Sequence, residues 1–223
     1  MIDASLDSSA SIMTRLKSAT AEHHRRAEER SLQRAMIKGT LPREKFAAYL
    51  GQLLYVHQRL EDTLEKLAAE HEPLDAVFRS HYARQADLEA DLEFHGHEIG
   101  PPLKATQKMI ADIDRWAEEQ PVALLGPLYV LEGSMNGNKF IARSLMQAWS
   151  LGPDAGFRYL DPYGEEQRAK WAEFRADMDA QGFAPEECET IIAAAQRTFD
   201  AIAEIADEVD AAPEADLSAG LQG

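Results

Sequence analysis

Three observations predict an all-α fold for this chain. The composition is rich in Ala, Leu, Glu, Gln and Arg, and apolar residues recur at three- and four-residue steps in segment after segment. No stretch of useful length alternates apolar with polar residues as a half-buried strand would. Glycine and proline are confined to a few places, which read as the connections.

The elements follow in order. Residues 11–29 read as a first helix, with Ile12, Leu16, Ala19, His23 and Ala27 on its repeating face and Ser11 as its cap. After KGTL, Pro42 suits the first turn of a long second helix. Its buried stripe is Phe46, Leu50, Leu53, Leu54, His57, Leu60, Leu64 and Leu67, and it ends near EHEP. Shorter helices are expected at 74–80 and 84–93. The segment HGHEIGPP then breaks the pattern and puts His95 and His97 in an exposed loop. Another helix covers 103–119, and Pro121 opens an element that two further glycines interrupt. After the Gly- and Pro-rich SLGPDAGFRYLDPYG, helical spacing resumes in EEQRAKWAEFRADMDA, and Pro185 starts a last helix through 209. The expected architecture is a single-domain bundle of seven or eight helices with short connections.

At 223 residues the chain can bury a sizeable core, and no internal boundary marks a second domain. The expected organisation is a flexible N-terminus over 1–10, a helical domain over 11–210 and a disordered tail over 211–223, where DAAPEADLSAGLQG has few large apolar residues. The net charge of −16 excludes a general nucleic-acid binder. The one cysteine, Cys188, excludes an internal disulfide or a thiolate metal site and points to a reducing compartment. The start, MIDASLDSSASIM, has acids where a secretory signal carries its positive end. The longest apolar run, 122–131, is about half the length needed to span a bilayer and contains Gly126 and Pro127. A cytoplasmic protein, off the membrane and monomeric by default, is the expectation.

The segment LEGSMNGNKF works against its helical surroundings. Each glycine inside a helix costs about 1 kcal/mol relative to alanine, and Asn136 and Asn138 are poor helix formers. Gly133 and Gly137 lie four apart, so they share one face and leave it without side chains. That bare strip suits either a closely packed second helix or a flat ligand, and Ser134, Asn136 and Asn138 add hydroxyl and amide groups beside it. On the first helix, His24 and Glu28 are also four apart. This is the spacing of an ordinary surface pair, and equally of a carboxylate that orients a metal-bound imidazole. Lys17 lies two turns before His24 on the same face, as a solvated lysine or as a cation for a ligand's carboxylate. A carboxylate-bridged di-iron site needs Glu-x-x-His pairs, and none of the seven histidines has a glutamate three residues before it. No two histidines are four apart, which excludes a zinc-protease helix.

Taken together, these segments resemble the haem oxygenase family, and its bacterial branch in particular. LKSATAEHHRRAEE resembles the family's proximal helix, KGTLPREKFAAYLGQLLYVHQRLE the helix after it, and YVLEGSMNGNKFIARSL its kinked distal helix. YLDPYGEEQRAKWAEFRADMDA and AAAQRTFDAIAEIA resemble the last two, so the resemblance spans residues 13–209.

The resemblance implies haem as substrate and cofactor together, cleaved with O2 and electrons to biliverdin, carbon monoxide and ferrous iron. It implies His24 as the iron ligand, Glu28 as the acid that orients it, and Lys17 with Arg175 as partners of the propionates. Trp171 replaces the usual lysine one turn before Arg175, with Lys170 beside it. Phe199 matches an aromatic haem contact, and Tyr129 lies near a propionate-facing tyrosine. Gly133 and Gly137 would cover the distal side, with Ser134 and Asn138 donating hydrogen bonds there. Animal members have aspartate at the position of Ser134, and the family usually has adjacent glycines where this chain has Gly137 and Asn138. The resemblance also implies an electron-donating reductase or ferredoxin as partner. A haem carrier or sensor without catalysis is the alternative on the same fold.

Overall fold

The computed structural model describes residues 10–152 and 155–213. The expectations for residues 1–9 and for the tail beyond 213 lie outside the described residues. Nine α-helices run through these: α1 (Ile12–Glu28), α2 (Ser31–Lys38), α3 (Arg43–Ala68), α4 (Glu72–Val77), α5 (Gln85–His95), α6 (Lys104–Glu119), α7 (Leu125–Ala148), α8 (Gln167–Ala180) and α9 (Pro185–Ala211). Short 3₁₀ turns sit at Ser80–Tyr82, Pro121–Leu124 and Gly164–Glu166. Among the described residues there is no strand, and no helix is long and apolar enough to cross a membrane.

The helix ends follow local chemistry. Ser11 caps α1, its hydroxyl accepting the Thr14 N–H at 3.4 Å. Pro42 stands at the N-cap of α3 rather than inside its first turn. Pro185 opens α9, and the Glu187 carboxylate accepts the Ala184 N–H at 2.9 Å, which is half of a capping box. Sequence periodicity missed α2. It is only eight residues long, it starts after a single extended residue, Arg30, with no side-chain cap, and only Leu32 and Met36 bury. Gly39 ends it in the left-handed conformation (φ 67°), where a Cβ would meet the Ser144 carbonyl and the Ala148 Cβ at 3.0 Å. This glycine both stops α2 and seats it on α7.

The last helix is the spine. α1, α2, α3, α6 and α7 all pack on α9, which buries Ile191, Ala195, Thr198, Ala201, Ile205 and Val209 along its length. The approach of α7 is closest at Gly126, where an added Cβ would lie 2.7 Å from the Ala195 nitrogen and the Ile191 carbonyl oxygen. Both of those atoms are backbone and cannot turn aside. α3 supplies the other large apolar surface, with Phe46, Leu50, Leu60 and Leu64 fully buried.

His95 corrects the expectation of an exposed loop histidine. It ends α5 and lies edge-on to Phe46, Trp149 and Phe157 at ring distances of 5.4–5.8 Å. Its Nε2 bonds the Gly156 carbonyl at 2.9 Å. HGHEIGPP is a chain break, as expected, but aromatic packing draws its first imidazole inward. His97 is half-buried. Burial pushes the pKa of both imidazoles down.

Two outcomes follow from this packing. Gly126→Ala overpacks the α7–α9 contact at a cost of about 1–3 kcal/mol, or roughly 2–4 °C of Tm per kcal/mol, measurable by thermal unfolding. An unchanged Tm would mean that the two helices separate freely. For His95, the unfolded imidazole takes up a proton at higher pH than the folded one, so its contribution to stability is present above the ordinary histidine pKa and is lost as pH falls below it. The Tm difference between wild type and His95→Gln therefore shrinks between pH 7.5 and pH 5. A difference independent of pH would overturn this.

Candidate functional site

Two helix stripes converge on one contact. On α1, Lys17, Thr20, His24 and Glu28 follow at three- and four-residue steps and share a face. On α7, Tyr129, Gly133 and Gly137 do the same. The Tyr129 hydroxyl comes near Thr20, whose own hydroxyl donates to the Leu16 carbonyl at 2.7 Å, and burial pushes the phenol's pKa up. Beyond this point α1 and α7 pack on α9 and α8 rather than on one another. His24 and Gly137 are left open.

The structure separates the adjacent histidines. The Nδ1 of His23 lies 3.0 Å from Asp200 on α9, a carboxylate that also receives Arg26 at 2.9 Å, so His23 helps to lock α1 to α9. His24 points its Nδ1 toward the Glu28 carboxylate at 3.4 Å and keeps 54% of its side chain exposed. Phe199 from α9 meets the His24 ring edge-on, with centroids 5.5 Å apart. The imidazole is therefore oriented on two sides.

Lys17 and Arg175 are exposed, and neither has an ion-pair partner among the described residues. Lys170 is engaged with Glu173 at 3.3 Å, which leaves Arg175 the freer cation of the two on α8. Trp171 lies over Gly133, its ring 3.3 Å from where a Cβ would stand. It stacks on Phe174 at 5.4 Å and approaches Tyr129 at 5.9 Å. The bare strip is therefore divided: Gly133 admits an indole, while nothing lies within 4 Å of a Cβ placed on Gly137.

Helix α7 runs unbroken from Leu125 to Ala148 through both glycines. Its polar side chains turn back on it. Ser134 donates to the Leu131 carbonyl at 2.7 Å, and Asn136 to the Gly133 carbonyl at 3.0 Å. The Asn138 amide reaches the Ser134 hydroxyl at 3.3 Å. This back-bonding occupies the hydroxyl and amides in a segment that intrinsic propensity disfavours.

Behind α7 lies a polar network that sequence reasoning missed. His57 on α3 holds Glu61 at 2.9 Å through Nδ1 and the Tyr159 hydroxyl at 3.2 Å through Nε2. Glu61 accepts the Arg84 and Gln85 backbone N–H groups at 2.8 and 3.3 Å, capping α5. Glu132 of α7, 2% exposed, faces the Arg84 guanidinium at 3.6 Å and accepts from the Tyr163 hydroxyl at 3.1 Å. Burial pushes the Glu132 carboxyl's pKa up, and Arg84 limits the rise. Arg84 Nε and Nη2, Glu132 Oε1 and the Tyr82 hydroxyl have no hydrogen-bond partner, and all three residues line a cavity of about 10 Å³. That is close to the space a single water needs. The signal was legible in part, because His57 and Glu61 have the same i, i+4 spacing as His24 and Glu28; Arg84, Tyr159 and Tyr163 are distant in sequence and carried none.

The Heme oxygenase family model matches residues 10–208, and the chain belongs to this family. Heme oxygenase 1 of Rattus norvegicus is 28% identical over 146 residues, covering 63% of this chain and 50% of the relative. Heme oxygenase 1 of Gallus gallus is 28% identical over 174 residues, covering 74% and 58%. The chain thus spans about half the length of the curated relatives it matches. The structure of heme oxygenase from Leptospira interrogans superposes with a TM-score of 0.83 at 25% identity, covering 89% of this chain and all of that one. Heme oxygenase-2 from Synechocystis, solved in complex with heme and NO, has a TM-score of 0.85 at 20% identity, covering 96% and 89%, and attests the fold alone.

The Glu132–Arg84 pair makes a testable claim about the network. Arg84→Met leaves a buried carboxylate without its cation and costs about 3 kcal/mol at neutral pH. Adding Glu132→Leu removes the orphaned charge and recovers more than half of that loss. A double variant no more stable than the single one, in denaturant titrations, would show that the two groups are not coupled.

Proposed function

We propose that the chain is a haem oxygenase which binds haem between the α1 stripe and α7 and cleaves it to biliverdin, carbon monoxide and ferrous iron. The observation that carries the reading is the convergence of the two stripes: an exposed imidazole with an acid at its second nitrogen on one side, open glycine backbone on the other. The chemistry of these groups fits haem. A neutral imidazole is a good iron ligand, two unpaired cations suit two propionates, and Phe199 and Trp171 offer flat apolar surface. Haem, when bound, would supply the iron that activates dioxygen and the ring that is consumed.

The chain's own residues then have separate tasks. His24 would hold the iron, and Glu28, accepting a hydrogen bond from Nδ1–H, would orient the ring so that Nε2 is the ligating nitrogen. Lys17 and Arg175 bind the propionates and so restrict the ligand to one orientation. Gly137 allows close approach to α7 because it carries no side chain. Ser134 and Asn138 bring the polar atoms nearest to that bare backbone, and Ser134 stands where animal members have an aspartate. No carboxylate therefore stands at this point, and hydrogen bonds to a ligand there would come from Ser134 and Asn138 once they exchange their bonds within α7, or from water. The reaction also takes electrons from a reductase or ferredoxin, and the single cysteine supports a cytoplasmic setting, with a monomer as the simplest state.

Hemin added to the purified protein with a reductant under air tests this reading. Loss of the Soret band with growth of a bilin absorption, unaffected by catalase, is the expected outcome. A stable haem spectrum would instead indicate a carrier or sensor, and no spectral change on hemin titration would leave a helical protein without this ligand. His24→Ala should abolish the axial-histidine spectrum.

A further inference from the structure

A patch of unbroken positive sign lies beside the slot. The chain carries 39 acidic against 23 basic residues, yet residues 31–43 and 133–152 contain no carboxylate. They carry Arg34, Lys38, Arg43, Lys139 and Arg143. Tertiary packing brings these segments together. Ser144 of α7 donates to the Ile37 carbonyl at 2.9 Å, Gly39 rests on Ser144 and Ala148, and the Arg43 guanidinium bonds the Trp149 carbonyl at 3.0 Å.

The patch is also apolar at its centre. Phe140 is 60% exposed and Ile37 52%, the largest exposures among the bulky hydrophobic residues. Lys139 and Arg143 approach the Phe140 ring at 5.4 and 5.9 Å. Neighbouring cations on α1 and at the start of α2 are neutralised, Arg25 by Glu22 and Glu29, Arg26 by Asp200 and Arg30 by Asp207. Arg34, Lys38, Lys139 and Arg143 have no carboxylate partner among the described residues. An exposed aromatic set among arginine and lysine is the composition of a protein-binding hot spot, not of a solvated face.

We infer that this α2–α7 face docks an acidic electron-carrier protein. The inference rests on the oxygenase reading and names where its electrons enter. The net charge of −16 repels an acidic partner over most of the surface, so encounter is steered toward this acid-free patch. Gly137 to Arg143 is six residues of helix, about 9 Å, so a protein seated on Phe140 lies against the distal wall of the slot. At each encounter one electron would leave the carrier's reduced cluster, which is thereby oxidised, and pass to the haem reaction held beside α7.

The test uses the haem-free full chain, so that docking is read independently of turnover. Calorimetric titration with an oxidised, acidic plant-type [2Fe–2S] ferredoxin should give binding at low salt that weakens at least tenfold near 0.2 M salt. Arg143→Glu and Phe140→Ala should each weaken it at least fivefold, while the charge-matched Lys66→Glu on α3 leaves it unchanged. In the haem-loaded protein, Arg143→Glu should raise the KM for ferredoxin and leave the ascorbate-driven rate untouched. No binding at low salt, or equal effects of Arg143→Glu and Lys66→Glu, would overturn the inference. So would a patch that serves another surface, seen as self-association abolished by Arg143→Glu or as sedimentation with anionic vesicles in preference to ferredoxin. If ferredoxin binds as expected but hemin is not degraded, the oxygenase reading fails and the docking surface stands.

Discussion

The contact of α7 with α9 at Gly126 sets the geometry on which the site depends. Two helices normally lie 8–10 Å apart, held off by side chains at the crossing. A glycine there, with backbone atoms of Ala195 and Ile191 opposite, lets α7 come in further. α1 packs on the same spine through Gln196, which donates to the Ala19 carbonyl, and through the Asp200 pairs. α1 and α7 are therefore both positioned by one helix, and their separation is set by how each packs on α9.

The glycines of α7 serve three different ends. Gly126 admits backbone, Gly133 admits the Trp171 indole, and Gly137 admits nothing, which leaves it available to a ligand. A small residue is an absence, and its meaning comes from what fills the space. The same holds for the carboxylates: Glu28 is exposed beside an imidazole that can bind metal, whereas Glu61, in the same i, i+4 relation to His57, is buried and caps a helix. Identical spacing yields an exposed pair in one case and a buried structural pin in the other.

The polar layer behind α7 gives that helix a charged back. Glu132 is the residue next to Gly133, but the 100° turn between neighbours sends its side chain toward Arg84, Tyr82 and Tyr163 instead of toward the slot. Few cores keep such groups in a space of this size, because each unpaired polar atom costs free energy. They hold α5, the 3₁₀ turn at Ser80–Tyr82 and the loop before α8 against α7, so any shift of the distal helix would have to break that network.

What the sequence determined by itself was the helical class, the elements α1 and α3 to α9 to within a few residues, and the His24–Glu28 and Gly133–Gly137 pairs. These are local properties: periodicity, caps and i, i+4 spacing need no partner to be read. Tertiary structure alone decided the rest. α2 forms because Leu32 and Met36 find a core and Gly39 finds α7, and its eight residues carry too little periodicity to reveal it. His95 goes inward because Phe46, Trp149 and Phe157, distant along the chain, surround it. His23 and His24 are interchangeable on paper, and only the position of Asp200 on α9 separates them. The acid-free segments were visible in the sequence as two separate stretches, but charge acts through space, and only the fold makes them a single surface.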